Sequence, residues 1–308
     1  MRSGAVLVAG AINTDLVARV KRAPESGETV TGSAFDVFGG GKGANQALAS
    51  ARSGAPTAML GGLGTDDFGL QRLADLRADG IDTESVAIVE GVASGVALIT
   101  VEESGQNRIA YVPGATAHVT IDGAVASARR TAPAVILSTL ELPHEALRRL
   151  FAAGRTLGAR IVLNATPEPA DGLALVPSAD VLVVNESEAA ELLGGSGDGD
   201  WAAAARRLRA LGPSMVVVTL GAAGALAVIG DREVRVAAPE IGPIDSTGAG
   251  DAFCGAFAAR LADGASDEGA IRAGVAAGSL ACTVAGAQRS MPRRAEIDAM
   301  LERMRRET

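Results

Sequence analysis

The feature that most restricts the fold of this 308-residue chain is an alternation of two patterns. Short apolar runs rich in β-branched residues recur between longer stretches rich in Ala, Leu and Arg. The apolar runs are Val6-Leu7-Val8-Ala9-Gly10, 134–137, 160–163, 181–184 and 215–218, and helical patterns at 145–157 and 201–211 lie among them. A run that is apolar at every residue has no face to offer water, so it reads as a strand covered on both sides. Such strands separated by helices predict an α/β fold with a mostly parallel central sheet and helices on both faces. Ligands of such sheets bind at the C-terminal strand ends. Asn13, Glu141, Asn185 and Thr219 each follow one of the runs.

Two segments break the alternation. Residues 15–39 contain strand-like pieces at 16–20 and 28–37, with Pro24 and Gly27 between them. Residues 95–114 contain 96–101 and 108–112, joined by Glu103-Ser104-Gly105-Gln106. Both read as hairpins without crossover helices. Together they predict one small antiparallel sheet projecting from a single domain that spans 1–308, serving as a lid or a dimer surface. The Gly/Ser/Asp loop at 194–199 is too short for a domain linker.

Two motifs carry chemistry. Asp245-Ser246-Thr247-Gly248-Ala249-Gly250-Asp251 leads into a helical stretch in which Phe253, Phe257 and Leu261 recur every fourth residue, and Gly264 supplies a stop. Unpaired N–H groups at a helix start form an anion site. Asp251 beside it suits a base that takes a hydroxyl proton during phosphoryl transfer, although a capped helix after a tight turn uses the same residues. Gly39-Gly40-Gly41-Lys42-Gly43-Ala44-Asn45-Gln46 opens a second helix that ends near Gly54. Its glycines permit close backbone approach, and Lys42 and Asn45 offer donors to a polyhydroxyl ligand. It is no Walker A loop, because Gly43 stands where Ser or Thr is needed.

Other segments are weaker alone. Asp15, in Asn13-Thr14-Asp15, can accept from vicinal hydroxyls or can simply hold a turn. In Asn185-Glu186-Ser187-Glu188, Glu188 fits the third position of a capping box or a water-mediated Mg²⁺ contact. Thr219-Leu220-Gly221-Ala222-Ala223-Gly224 joins two strands and could let a nucleotide lie against its backbone.

Composition removes several classes. Net charge −8, with no Lys/Arg run and 3% aromatics, argues against a nucleic-acid partner. Gly10-Ala11-Ile12-Asn13 lacks the GxGxxG of a nicotinamide enzyme. His118 and His144 lie far from each other and from Cys254 and Cys282, which disfavours a zinc site. The two cysteines, both inside apolar, Ala-rich segments, read as buried thiols rather than a disulfide framework, which fits a reducing cytoplasm. Met1-Arg2-Ser3-Gly4 runs straight into a strand pattern, with no signal peptide and no membrane-spanning segment expected.

Taken together, the segments resemble the ribokinase family of sugar kinases, also called the PfkB family, from Val6 to about Leu301. Asn13 and Asp15, the GGKGAN of Gly40 to Asn45, and the Thr-Gly-Ala-Gly-Asp of Thr247 to Asp251 carry the resemblance, in family order. It implies a Rossmann-like three-layer domain with a small β-sheet lid, and ATP-dependent phosphorylation of the primary 5-hydroxyl of D-ribose. Asn13, Asp15, Gly41, Lys42, Asn45 and Glu141 would hold the sugar. Asp251 would be the general base, with Gly248, Ala249 and Gly250 as the anion hole. Asn185, Thr219, Leu220, Gly221, Ala222, Ala223 and Gly224, with Gly250 and Asp251, would hold ATP, and Glu188 would assist Mg²⁺ through water. Asp245, Thr247, Ala281, Val284, Gly286 and Ser290 would bind a monovalent cation, usually K⁺. The resemblance also implies a homodimer through the lids. Val275 and Cys254 depart from asparagines frequent in the family. Alternative readings are the same chemistry on deoxyribose, another pentose or a nucleoside, and a non-catalytic sugar-binding regulator.

Overall fold

The structure is a computed structural model that describes residues 4–195 and 199–307. Met1-Arg2-Ser3 and the middle of the 194–199 loop therefore lie outside the described residues. β1 (Val6–Ala9), β2 (Asn13–Val20) and β3 (Gly32–Gly40) precede α1 (Lys42–Arg52). Next come β4 (Thr57–Gly64), α2 (Asp67–Ala78), β5 (Val86–Val89), β6 (Gly95–Glu102), β7 (Asn107–Val112) and α3 (Ile121–Thr131). β8 (Val135–Ser138), α4 (His144–Thr156), β9 (Arg160–Asn164), β10 (Val181–Asn185), α5 (Glu186–Leu192) and α6 (Trp201–Arg209) continue the alternation. β11 (Met215–Thr219), β12 (Ala225–Ile229) and β13 (Arg232–Val236) lead to α7 (Ala249–Ala262), α8 (Asp267–Ala281), α9 (Ala287–Ser290) and α10 (Arg294–Arg306).

The main sheet has the order β13-β12-β11-β10-β9-β8-β1-β4-β5. It is parallel from β11 to β5, and β12 and β13 add an antiparallel edge. Side chains alternate between two buried faces with period two. Val6 and Val8 face one core while Leu7 and Ala9 face the other; Met215 and Val217 oppose Val216 and Val218 in the same way. Water reaches neither face, which explains why the runs are apolar at every position. Burying each such Val, Leu or Ile contributes roughly 1.5–3 kcal/mol. The strand order turns back at β1, with β4 on one side and β8 on the other. The ends of β1 and β8 therefore flank the switch point where ligands of open α/β sheets bind.

The helix after Gly248 is buried over more than the stripe its spacing predicts. Ala252, Cys254, Ala256 and Ala258 are as buried as Phe253 and Phe257. α7 packs against both α1 and α8, and a helix covered on several sides becomes apolar all round. Gly255 makes the α1 contact possible: a Cβ there would stand 2.4 Å from Ala49 Cβ and 2.6 Å from the Gln46 carbonyl.

The small sheet has the order β3-β2-β6-β7. β2 pairs antiparallel with β3, and β6 with β7, but β2 and β6 run parallel. The expectation of an all-antiparallel sheet is thus corrected to a mixed one. Each hairpin keeps its own antiparallel pair, and the two first strands meet side by side. Residues 28–31 also fall outside β3. The Glu28 carboxylate turns back to pair with Arg22 and to accept from the Glu25 N–H at 3.0 Å, which holds that stretch as a turn.

Candidate active site

The glycine loop and the end of β1 are pinned by one carboxylate. Glu141 Oε2 accepts from the N–H groups of Ala11 (2.8 Å) and Gly43 (3.0 Å) and from the Thr139 hydroxyl (2.9 Å). Among the described residues its Oε1 accepts from the Lys42 N–H alone, at 3.1 Å, leaving acceptor capacity. The approach of α1 to β1 requires glycine on both sides, since a Cβ on Gly43 would stand 2.5 Å from Gly10 Cα. Gly41 precedes α1 at φ 90°. Glu141 is therefore in part a staple for the loops that carry Asn13, Gly41, Lys42 and Asn45.

Asp15 lies on β2 in register with Ala97 of β6, which in turn opposes Tyr111 of β7. The period-two pleat puts Asp15 and Tyr111 on one face of the small sheet. Burial raises the Asp15 carboxyl to about 6; Arg72 opposes the rise, and Glu141 and Asp251 add to it. Burial, with the Glu141 charge adding, pushes the Tyr111 phenol up to about 12 where it lies by Asn13 and Thr116. The buried Asn13 Oδ1 and Asn45 Oδ1 have no hydrogen-bond partner among the described residues. Buried acceptors of that kind are normally satisfied, so both suit hydroxyl donors of a ligand.

Asp251 is the centre of the cluster. It is buried, and each carboxylate oxygen holds one side-chain amide: Asn45 Nδ2 donates to Oδ2 at 2.9 Å and Gln46 Nε2 to Oδ1 at 3.0 Å. Burial raises its pKa, while Lys42, Asn45 and Gln46 work in the opposite direction and Glu141 adds to the rise. Burial also works against the Lys42 ammonium, but the charges of Asp251, Glu141 and Glu188 outweigh it and keep the cation. Gln46 was not among the residues singled out for a role, and Asn164, which Gln46 also meets at 2.9 Å, carried no local signal.

α7 starts at Gly248, whose φ of 79° lies in the left-handed region that favours glycine, and no side chain caps it. The Ala249 N–H is taken by the Ser246 carbonyl at 3.1 Å. The Gly250 and Asp251 N–H groups meet no protein acceptor among the described residues. A Cβ on Gly250 would find no atom within 4 Å. This is an open helix N-terminus, which attracts anionic groups, with a buried carboxylate beside it.

Asn185 and Thr219 are register partners at the C-terminal ends of β10 and β11. Asn185 Oδ1 accepts from the Glu188 N–H, and Glu188 Oε2 from the Asn185 N–H, both at 2.8 Å. Glu188 therefore does serve a capping box. Burial raises its carboxyl, and it also feels the charges of Lys42 and Asp251. Beyond Thr219 the chain turns through Gly221–Ala223, and the Leu220 N–H closes the loop on the Gly224 carbonyl at 2.8 Å.

Asp245 ties two loops together. Its Oδ1 accepts from the Thr247 N–H (2.9 Å) and hydroxyl (2.6 Å), and its Oδ2 from the Gly286 N–H (2.8 Å). The Cys282 carbonyl accepts from the N–H groups of Ile244 and Asp245. Ser290 is buried and donates to the Ala287 carbonyl at 2.7 Å, leaving its oxygen free to accept. Arg52, the last residue of α1, clasps the carbonyls of Gln288 (2.8 Å) and Met291 (3.1 Å) and pairs with Asp79. Val275 is buried in the core.

The fold and this cluster define an α/β protein that sets a buried carboxylate beside an open helix N-terminus and next to unpartnered buried acceptors. Residues 4–294 match the model of the pfkB family carbohydrate kinases, and the chain belongs to that family. It is a sugar kinase, a phosphotransferase. Ribokinase of Schizosaccharomyces pombe is 34% identical over an alignment that covers 95% of this chain and 96% of that one. Deoxyribokinase of Salmonella typhi is 33% identical over 293 residues, covering 93% and 95%. The structure of Arabidopsis thaliana ribokinase complexed with ribose and ATP matches with a TM-score of 0.88 at 30% identity, covering 98% of this chain and 99% of that one.

Proposed function

We propose that this chain transfers the γ-phosphoryl group of ATP to the primary 5-hydroxyl of D-ribose, giving ribose 5-phosphate and ADP. The observation that carries the reading is the buried Asp251 carboxylate beside the open N-terminus of α7, with the Asn45 and Gln46 amides on its oxygens. In this reading Asn13, Asp15, Gly41, Lys42, Asn45 and Glu141 hold the sugar hydroxyls. Asp251 takes the hydroxyl proton as the oxygen attacks phosphorus. Of the Gly248-Ala249-Gly250 turn, the Ala249 N–H stays on the Ser246 carbonyl, and the N–H groups of Gly248 and Gly250, together with that of Asp251, receive the charge that develops on the transferred group. Asn185 and Thr219-Leu220-Gly221-Ala222-Ala223-Gly224, with Gly250 and Asp251, hold ATP.

Two ions belong to the proposal. Glu188, a half-buried carboxylate with its pKa raised and an Oε1 outside the capping box, suits Mg²⁺ held through water. Mg²⁺ would neutralise phosphate charge. The carboxylate of Asp245 and the hydroxyl of Ser290, with Thr247 and backbone oxygens of Ala281, Val284 and Gly286, form an all-oxygen donor set suited to K⁺.

The small sheet is read as a lid over the sugar, built from 15–39 and 95–114 of a single domain. Its outer face carries Phe35, Val37 and Leu98, exposed at 64%, 46% and 49%. An apolar face of this kind suits a homodimer through the lids. The unpaired thiols of Cys254 and Cys282 fit a cytoplasmic setting, and among the described residues no helix is long and apolar enough to cross a membrane.

The test is an ATP-coupled assay on ribose, deoxyribose, other pentoses, fructose and adenosine, with and without K⁺. Ribose turnover that rises with K⁺ is expected. Preferred turnover of deoxyribose would install the second reading, which the deoxyribokinase relative favours. Sugar binding without turnover on any acceptor would leave a regulator.

A further inference from the structure

The orientation of the base is decided by a backbone carbonyl two residues removed from it. Asn164, at the end of β9, donates from Nδ2 to the Val183 carbonyl of β10 at 3.1 Å. A carbonyl can only accept, so the nitrogen of the Asn164 amide must face β10 and its Oδ1 must face α1. Oδ1 then accepts from Gln46 Nε2 at 2.9 Å, and the same Nε2 gives its second hydrogen to Asp251 Oδ1 at 3.0 Å. A reversed Gln46 amide would set its oxygen against Asn164 Oδ1 and Asp251 Oδ1 at once. Only one amide polarity avoids that repulsion. Gln46 is fully buried and Asn164 nearly so, which removes water as a substitute donor.

We propose that Gln46 and Asn164 form a positioning relay for the phosphoryl-transfer base, fixing the direction of the Asp251 carboxylate and keeping it ionised. The relay rests on the reading of Asp251 as the base. A carboxylate in a buried site otherwise gains from taking up a proton, and an obligatory donor on Oδ1 opposes this. The donor also fixes the plane of the carboxylate, so that the remaining acceptor capacity is aimed at an incoming hydroxyl rather than at the protein. Other charged or titratable groups facing Asp251 are Lys42 of α1, Asp15 of β2, Glu141 after β8, Glu188 of α5 and Cys254 of α7 itself. Lys42 is the one cation among these neighbours. It lowers the pKa of Asp251 through charge, whereas the relay also sets direction.

The experiment compares Gln46→Met, Asn164→Leu and the double variant by single-turnover rate against pH, with sugar affinity measured by calorimetry and folding by thermal unfolding. Gln46→Met should move the acid limb of the rate profile upward by about one pH unit, a tenfold loss on that limb, while sugar affinity changes less than about threefold. Asn164→Leu should move the limb the same way by less, because Gln46 keeps its donor but gains freedom to reverse. The double variant should match Gln46→Met alone, since one chain of contacts is cut in either case. An unmoved acid limb in both single variants overturns the relay, as does a double variant whose shift is the sum of the two. Should Gln46→Met fail to fold, Asn164→Leu alone decides by the same limb. Asp251→Asn separates the two levels: full turnover there removes the base and the relay together, whereas a dead Asp251→Asn with unmoved relay profiles removes the relay only.

Discussion

Asn45 Nδ2 meets Asp251 Oδ2 at 2.9 Å, joining the first turn of α1 to the first turn of α7 across 206 positions of sequence. The glycine loop and the Asp251 carboxylate are therefore one hydrogen-bonded unit, and the roles proposed for them can be tested on it.

Replacing the base with its neutral isostere, Asp251→Asn, should lower turnover by roughly 10²–10⁴-fold while sugar affinity and fold persist. Because burial disfavours the native carboxylate, the thermal midpoint should hold or rise. Steady-state kinetics, calorimetry and thermal unfolding on one preparation give all three readings, and retained turnover would remove Asp251 from the chemistry.

Glu141 is expected to matter for stability as well as for substrate. Glu141→Ala strips the acceptor from three backbone N–H groups and the Thr139 hydroxyl. The cost should be on the order of 3 kcal/mol, with a large rise in sugar KM. Glu141→Gln keeps one good acceptor and should fall between. Denaturant unfolding together with KM would show whether the two losses track each other.

Asp15 sets a pH dependence of defined sign. Its folded pKa of about 6 lies above its ordinary value of 3.8. Its contribution to stability is thus fully present below about pH 4 and lost as pH rises through about 6, on the order of 2 kcal/mol after allowing for partial solvent access. Sugar affinity should run the other way, because hydroxyl donors need the ionised form. Asp15→Asn should flatten both slopes between pH 4 and 7. Unfolding and binding measured across that range would show it, and unchanged slopes would take Asp15 out of both effects.

At the cation loops, Asp245→Asn should raise the half-saturating K⁺ by roughly tenfold or more. The thermal midpoint in K⁺ against tetramethylammonium reads this without any turnover. The gain from K⁺ should shrink in the variant, and an equal gain in both proteins would place the cation elsewhere.

Leu98→Glu and Phe35→Glu set charges on the outer face of the small sheet. Sedimentation velocity should show the dimer giving way to monomer, with the fold intact. A wild-type monomer at micromolar concentration would end the dimer reading.

What the sequence made legible, and what it did not, divides along the range of the interactions. Strand runs such as 181–184 read directly, because two dry faces force every residue to be apolar. The glycine loop read directly because close backbone approach leaves room only for glycine, and the Thr247 to Asp251 signature because the left-handed turn at Gly248 favours glycine. The direction of β2 against β6 was not legible, since period-two alternation looks the same in parallel and antiparallel pairs. Gln46 and Asn164 escaped for a related reason. A polar residue inside a helix and one at the end of a strand acquire a meaning only when tertiary packing brings them to Asp251.

The docking of α7 on α1 has a consequence for how the protein is made. A growing chain exposes its sugar loop early, but the carboxylate that completes the centre belongs to the last fifth of the polypeptide. Until that segment has been synthesised and has seated Gly255 against Ala49 of α1, the nascent molecule has the amides and no carboxylate between them. The buried centre thus closes as a late assembly event, and an interrupted chain that ends before Ala249 leaves the Asn45 and Gln46 amides without the carboxylate they hold.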